Sequence, residues 1–252
     1  MLIIVTKWVL VKKKASPSHL IDGQCVSVAE LGQKTWGHRG RLMRGTMSNA
    51  ATDDRFYVWF DTEYSDLDLE TASLLQVAAL ITDTSLHPVL PHEHDVRLII
   101  RVPDDKPLSP WVRKNLPDLV RACRSPEAVD LAEADERLAA YVDAVVGPPS
   151  ERTDRRPVLA GNSVHADWWL VRRFLPHFLS RLHYRHLDVT ALKLEWMRLH
   201  PGSQFDKEDP ATLAAYFPEA LLSAPEGRHD AYYDVQASIA ELAFYRRHLL
   251  RE

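Results

Sequence analysis

Apolar residues in the first part of the body of this chain form short continuous runs separated by polar turns. Such runs lie at 56–60, 74–81 and 96–100. Each run is short, contains β-branched or aromatic residues and is bounded by polar residues, so the pattern predicts three buried β-strands. Because only a polar turn at 64–70 and a few small residues separate the first two runs, the sheet is predicted to begin as an antiparallel hairpin.

Beyond residue 110 the apolar positions recur at helical spacing. One amphipathic helix is predicted from residues spaced three and four apart, namely Leu131, Ala134, Leu138, Tyr141 and Val142. Gly147 and the two prolines after it end this helix. A last helix is predicted to begin near 228–229, with a buried stripe of Tyr232, Val235, Ile239 and Leu242.

Two further strands are predicted to lead directly into helices. The strand at 157–163 precedes a helix that starts at Val164 and ends at Pro176. The strand at 183–190 precedes another helix, for which Thr190 is a candidate N-cap. This mixture of strands and helices predicts an α/β fold with helices on the faces of a sheet. In such folds the strand-to-helix junctions are where functional sites form.

Composition excludes several classes of protein. The chain has 252 residues and is 46% apolar, enough for one large domain or two small ones with a sizeable core. No apolar run approaches 18 to 20 residues, so no membrane span and no membrane partner are expected. The two cysteines, Cys25 and Cys123, cannot form a cysteine zinc site or a disulfide framework. They fit a reducing compartment, and the predicted location is the cytoplasm.

Charge divides the chain into two unequal parts. Residues 1–46 hold eight Lys and Arg against two Asp and Glu, whereas the remainder is acidic. The contrast favours the interpretation of residues 1–46 as a leader that is either disordered or precedes the true start at Met47. The functional domain is then 47–252. A targeting arm or a partner-binding arm is the alternative. An acidic body argues against tight, sequence-blind binding along a nucleic-acid backbone.

The candidate chemistry begins at the end of the first strand, with Asp61 and Glu63. Residues two apart in a strand share a face, so the two carboxylates are predicted to project side by side. Two like charges held this close repel, and a divalent cation between them removes the repulsion. The alternative is a solvated strand end with two unrelated acids.

Four stretches, at 61–63, 161–167, 183–190 and 229–234, together resemble the DEDD exonuclease superfamily. Within it, the segments Gly-Asn-Ser-x-His-x-Asp and His-Tyr-Arg-His-Leu-Asp-Val are most similar to those of oligoribonucleases. The resemblance covers about 56–247 and implies an RNase H-like mixed sheet flanked by helices.

The subtype within this superfamily follows from one spacing. His229 stands five residues before Asp234, as in the histidine-containing DEDDh branch. The tyrosine-containing branch would need Tyr at position 230, which is Asp.

The resemblance also implies roles for the acidic residues and the histidine. Two divalent cations, Mg²⁺ or Mn²⁺, would be held by Asp61, Glu63, Asp167 and Asp234, with Asp61 bridging them. His229 would be the general base that deprotonates the attacking water. Taken singly, Asp167 could be an ordinary acid at a helix N-terminus and His229 a surface loop histidine.

Substrate contacts are implied by the same resemblance. Ser163, Arg185 and Thr190 match a phosphate cap that closes the family's site, and His186 lies in the same run as the last two. Leu67 matches a leucine that wedges between two bases. Tyr184 matches an aromatic residue that the neighbouring subunit of a homodimer supplies. The alternative for 183–190 is a core strand with a satisfied histidine.

Some residues depart from the oligoribonuclease pattern. Thr190 stands where Ser is commoner, and Gln76 stands where Glu is frequent and is expected to support the site from behind. Trp168 and Trp169 replace a more basic pair, and the final segment at 229–234 is nearer to that of broader DEDDh exonucleases. These departures leave the prediction of catalysis in place, but they weaken the prediction of a strict preference for dinucleotides.

The sequence therefore predicts a metal-dependent 3′-to-5′ exoribonuclease that hydrolyses short oligoribonucleotides, especially dinucleotides, to nucleoside 5′-monophosphates. One alternative is a broader DEDDh exonuclease, similar to RNase T or to proofreading subunits, acting on longer RNA or single-stranded DNA. A second is a non-catalytic nucleic-acid-binding module. That module would be expected to lack a carboxylate or the histidine, and this chain retains all five residues.

Overall fold

A computed structural model describes residues 55–221 and 229–249 of the chain. The predicted leader at 1–46 and the predicted start at Met47 lie outside these described residues, so both stay predictions.

The centre of the molecule is a five-stranded mixed sheet. Its strands are β1 (Phe56–Tyr64), β2 (Leu74–Asp83), β3 (Val96–Ile99), β4 (Val158–Gly161) and β5 (His186–Asp188). In space the order is β3-β2-β1-β4-β5. β1, β2 and β3 pair antiparallel, whereas β4 pairs parallel with both β1 and β5. The predicted hairpin is confirmed, and β1 occupies the middle of the sheet.

Eight helices surround the sheet within the described residues. They are α1 (Pro110–Asn115), α2 (Pro117–Ala122), α3 (Leu131–Val146), α4 (Val164–Phe174), α5 (Pro176–Leu179), α6 (Val189–Leu199), α7 (Pro210–Tyr216) and α8 (Ala231–His248). The predicted end of α3 is confirmed, because Gly147 follows it with a positive φ of 78°. None of the helices in the described ranges is long and apolar enough to cross a membrane.

One sequence-based prediction about the helices is wrong, and one helix was not predicted. Thr190 is not the N-cap of α6; Asp188 is, and its side chain accepts a hydrogen bond from the Thr190 backbone N–H. Asp is at least as good a cap as Thr, and the Thr190 hydroxyl has other partners. Helix α7 was not predicted, because seven residues between Pro210 and Tyr216 are too few to show a helical period.

Alternation along β1 assigns its side chains to two separate cores. Val58 and Phe60 are buried in one cluster with residues of α3, α4 and α5. Trp59 is buried in the other cluster with residues of α6, α7 and α8. Helix α8 confirms the predicted buried stripe but exceeds it, since polar Gln236, Ser238 and Glu241 on its other sides are buried as well. β1 therefore lies between two cores, and β2 beside it is buried at every position but its last.

A buried carboxylate ties β3 to two helices. The side chain of Asp95 is 1% exposed and accepts hydrogen bonds from the hydroxyls of Tyr141 at 2.9 Å and Tyr232 at 2.7 Å. His92 Nδ1 lies 2.8 Å from the same carboxylate. Burial, together with the negative charge of Asp95, raises the pKa of both phenols above the ordinary value for tyrosine. Both phenols therefore remain donors at all physiological pH values.

Replacement of this carboxylate is predicted to destabilise the fold. Asp95→Ala leaves two buried hydroxyls without their acceptor, and the free energy of unfolding should fall by about 2–4 kcal/mol in chemical denaturation. The matched control is Asp154→Ala, which removes an acid whose side chain is 62% exposed and should leave the free energy of unfolding nearly unchanged. Equal effects of the two substitutions would contradict a structural role for Asp95.

Candidate active site

Three carboxylates converge where β1 meets α8. Asp61 and Glu63 lie on β1, Asp234 lies in the first turn of α8, and one oxygen of each lies within 4.8 Å of the others. Glu63 is buried and the other two are half-buried. Asp61 and Glu63 follow Trp59 at intervals of two residues, so they face α8 as Trp59 does. The predicted pairing of Asp61 with Glu63 is thus confirmed, and Asp234 joins them.

Asp167 approaches β1 from the other side. It lies in the first turn of α4, is 5% exposed, and its Oδ1 accepts a hydrogen bond of 2.7 Å from the Thr62 hydroxyl. Thr62 stands between Asp61 and Glu63 in the strand and therefore projects from the opposite face. The structure brings all four predicted acids to the end of β1, with three in one cluster and Asp167 bound across the strand.

Close contact between β4 and β1 requires a glycine next to Asp61. A Cβ on Gly161 would lie 2.8 Å from the backbone oxygen of Phe60, the residue before Asp61. Gly161 is also the last residue of β4, so it begins the turn that carries Asn162 and Ser163. The glycine allows this turn and the carboxylate-bearing strand to lie side by side.

His229 lies in the turn that precedes α8, with a left-handed φ of 64°. The turn is fastened to β2, because the Gln76 side chain donates to Asp230 Oδ2 at 2.9 Å and accepts from the Ala231 backbone N–H at 3.2 Å. Gln76 pairs with Glu63 in the register of β1 and β2. The predicted supporting position of Gln76 is consistent with these bonds, which hold the His229 turn beside the carboxylate cluster.

Trp111 is a site residue that the sequence analysis did not identify. Its side chain is 45% exposed, and its ring meets the His229 ring edge-on with 4.9 Å between centroids. It lies more than 100 residues from His229 in the chain, so no local spacing pattern could have indicated the contact.

Two of the three predicted phosphate-cap residues lie together. The Ser163 backbone N–H donates to the Thr190 hydroxyl at 2.8 Å, and the two hydroxyl oxygens are 3.3 Å apart. Asp188 supports both residues, because its Oδ1 accepts from the backbone N–H groups of Ser163 and Thr190. This pair of hydroxyls stands at the parallel edge formed by β4 and β5.

Asn162 connects this pair of hydroxyls to α8. Its side-chain oxygen accepts from the Thr190 hydroxyl at 3.2 Å, and its side-chain nitrogen donates to Glu241 Oε2 at 2.9 Å. Glu241 is 1% exposed, and Lys193 and the Tyr245 hydroxyl bind its other oxygen at 3.0 and 2.7 Å. A buried carboxylate with this many partners is stable in place and fixes the amide that it binds.

The remaining predicted substrate residues differ in exposure. Leu67, in the turn after β1, is 74% exposed, and Tyr184 is 62% exposed. The Arg185 guanidinium carbon lies 5.3 Å from the centroid of the Tyr184 ring. His186 packs against Trp168 with 4.1 Å between ring centroids. Leu67, Tyr184 and Arg185 are thus at the surface, whereas His186 lies against the core.

Two histidines of this segment are shifted toward the neutral form. Burial and the Arg185 guanidinium lower the pKa of His183 below its usual range. Burial also lowers the pKa of His186. Near pH 7 the positive charge of the 183–190 segment therefore comes from Arg185.

Lys207 is the second site residue that the sequence analysis missed. Its ammonium lies 2.6 Å from Asp234 Oδ1, in contact with one member of the carboxylate cluster. The two residues are 27 positions apart, with α7 between them, so only the folded chain shows the contact.

Comparisons with known proteins identify related sequences. A family model described as Exonuclease matches residues 58–242. The chain is 31% identical to an oligoribonuclease of Nocardia farcinica over 77% of its own length and 81% of that protein. It is 30% identical to a mitochondrial oligoribonuclease of Bos taurus over 77% of its length and 73% of that protein.

Among solved structures, an exonuclease I of Methylocaldum szegediense has the same fold. The TM-score is 0.54 at 20% identity, and the match covers 78% of this chain. The chain spans only 41% of the length of that exonuclease I. The likeness confirms the predicted RNase H-like architecture.

Gly161→Ala is predicted to destabilise the sheet, because the added Cβ would collide with the backbone of β1. The free energy of unfolding should fall by about 1–3 kcal/mol. Ser203→Ala, which introduces the same residue at an exposed position, should change it by less than about 0.5 kcal/mol. Chemical denaturation of both variants measures the difference, and an unchanged Gly161→Ala protein would refute the close approach of the two strands.

Proposed function

Because this chain belongs to the oligoribonucleases of the DEDD exonuclease family, and so is a hydrolytic nuclease of phosphodiester bonds, we propose that it degrades very short RNA. It removes nucleotides in the 3′-to-5′ direction, acts above all on dinucleotides and releases nucleoside 5′-monophosphates. The observation that carries the proposal is the convergence of Asp61, Glu63 and Asp234 beside the His229 turn.

The donor set suits hard divalent cations. Three carboxylates with oxygens within 4.8 Å offer the oxygen ligands that Mg²⁺ and Mn²⁺ prefer. Asp61, Glu63, Asp167 and Asp234 would hold a pair of such ions. Bound cations of this kind supply Lewis acidity and positive charge beside the phosphodiester.

His229 acts as the general base. It stands five residues before Asp234, in the turn that leads into α8 beside the carboxylate cluster. Its imidazole takes the proton of the attacking water, a role that histidine fills more often than other side chains. Trp111 restricts the ring from one side, while Gln76 and Asp230 hold the turn.

Substrate length is set by what surrounds the carboxylates. The adjacent hydroxyls of Ser163 and Thr190, with the guanidinium of Arg185, bind the 5′-terminal phosphate of a short RNA. Leu67 offers an exposed apolar side chain for a nucleobase. The acidic body offers little attraction to the backbone of a longer chain.

A homodimer completes this proposal. Tyr184 is 62% exposed in one subunit and would reach the substrate of its partner. Stacking of aromatic side chains on bases contributes to binding without regard to base identity. The enzyme would therefore accept dinucleotides of any sequence.

The decisive experiment uses 5′-labelled RNAs of two, four and about ten nucleotides with the purified protein. Each is incubated with Mg²⁺, with Mn²⁺ and with a chelator. Fast, metal-dependent loss of the dinucleotide with slow loss of the longer RNAs supports the proposal. Trimming of the longest RNA that stalls at the dinucleotide would instead assign the protein to the broader DEDDh exonucleases.

Asp61→Asn tests the role of the carboxylate cluster in the same assay. Loss of a charged ligand from the cluster should reduce dinucleotide hydrolysis at least about a hundredfold. Asp118→Asn removes a charge from a side chain that is 87% exposed on α2 and should leave the rate unchanged. Near-normal activity of Asp61→Asn would overturn the assignment of metal ligands.

Arg185→Ala tests the phosphate cap. Loss of the guanidinium should flatten the preference for dinucleotides over tetranucleotides by about tenfold, because a charge-assisted bond to the terminal phosphate is lost. Arg152→Ala removes an arginine that is 64% exposed and paired with Asp154, and it should keep the original length profile. An unaltered profile in Arg185→Ala would refute the cap.

A further inference from the structure

The carboxylate cluster has a cationic side chain of its own. Lys207 Nζ lies 2.6 Å from Asp234 Oδ1, while Asp61 and Glu63 lie within 4.8 Å of the same acid. We propose that Lys207 is an internal counter-cation that competes with the divalent ion for Asp234 and so sets how tightly this nuclease holds its metal. The inference rests on the proposed function, in which this cluster binds divalent cations.

The backbone around Lys207 is fixed by its neighbours. The Tyr233 hydroxyl donates to the Lys207 backbone oxygen at 2.5 Å, and Tyr233 is the residue directly before Asp234. Phe205 is 6% exposed in the core, and Asp209 caps α7 through the backbone N–H groups of Ala211 and Thr212. These anchors on both sides of Lys207 hold its backbone close to Asp234, so its side chain starts within reach of that carboxylate.

Burial makes this pair stronger than an ordinary surface pair. The Asp234 side chain is 17% exposed, and that of Lys207 is 48% exposed. By contrast, Arg121 and Asp118 form a pair on α2 with side chains 78% and 87% exposed. Coulomb attraction grows as solvent is excluded, and the nearby Asp61 and Glu63 add to the negative potential that the ammonium meets.

Lysine is suited to a contact that must yield to a metal. Its ammonium is a point charge at the end of a flexible stem, whereas arginine would bind a carboxylate through two fixed hydrogen bonds. About half of the Lys207 side chain is exposed, so it has solvent into which it can withdraw. A divalent ion carries twice the charge of the ammonium and would displace it from Asp234. Breaking the contact between Lys207 and Asp234 has a cost, and the displaced ammonium still repels the metal ion. Both effects weaken metal binding.

The other lysine paired near the site serves as a contrast. Lys193 binds Glu241, a carboxylate that is 1% exposed and lies apart from the three-carboxylate cluster. That pair supports Asn162, and Glu241 is not one of the proposed metal ligands. The difference lies in the acid that each lysine contacts, because only Lys207 of these two contacts a proposed metal ligand.

The test is a titration of Mn²⁺ into the full chain, with free Mn²⁺ followed by electron paramagnetic resonance. Lys207→Met should bind Mn²⁺ about fivefold more tightly than the unaltered protein. Lys207→Arg keeps the charge and should stay within about twofold of the unaltered protein or bind more weakly. Arg121→Met makes the same change in net charge on the surface and should have no effect on Mn²⁺ affinity.

Thermal unfolding gives a second measure that needs no activity. In chelator, Lys207→Met should have a lower Tm than the unaltered protein, because three carboxylates then lack the ammonium. Saturating Mn²⁺ should raise its Tm by more than it raises that of the unaltered protein. Arg121→Met should follow the unaltered protein in both conditions.

The outcomes separate this inference from the proposed function. If the unaltered protein binds Mn²⁺ and Lys207→Met binds it equally or more weakly, Lys207 does not compete with the metal, and only this inference falls. If the unaltered protein does not bind Mn²⁺ and does not hydrolyse RNA with any divalent ion, the metal site and this inference fall together.

Discussion

Three carboxylate side chains with oxygens within 4.8 Å repel one another, and the end of β1 has to hold them together despite that repulsion. The register of the sheet holds two of them together, because Asp61 and Glu63 are fixed on one face of a strand in the middle of the sheet. Helix α8 brings the third acid from a position 171 residues farther along than Glu63. Any cation bound at such a site reduces the repulsion among the carboxylates. This is the physical reason to expect both a divalent ion and an ammonium there.

Alternation along β1 also explains how one strand serves both sides of the sheet. Asp61 and Glu63 face α8, while Thr62 between them faces α4 and binds Asp167. Helices α4 and α8, which carry the predicted ligands Asp167 and Asp234, are thereby both linked to the three consecutive residues 61–63. A change in register of a single residue would send the acids to the wrong core.

Helix α8 connects the carboxylate cluster with the turn that carries Ser163. At its start, Asp230 binds Gln76 and holds the His229 turn. One turn later Asp234 enters the carboxylate cluster, and farther on Glu241 binds the amide of Asn162. The same buried helix therefore positions the proposed base, a proposed metal ligand and the turn that carries Ser163. Two of its buried polar residues, Ser238 and Glu241, accept hydrogen bonds from the Asn162 amide.

The sequence by itself determined the parts of this protein that depend on local order. Strand period placed Asp61 and Glu63 on one face, helical period located α3 and α8, and linear motifs indicated the family, because each of these is written in the spacing of neighbouring residues. Local order was insufficient at Thr190, where Asp188 proved the better cap, and at α7, which is too short to show a period. Only tertiary structure decided that Trp111 meets His229, that Glu241 fixes Asn162 and that Lys207 contacts Asp234. These contacts join residues tens of positions apart on separate elements, so they exist only once the sheet and helices have packed together.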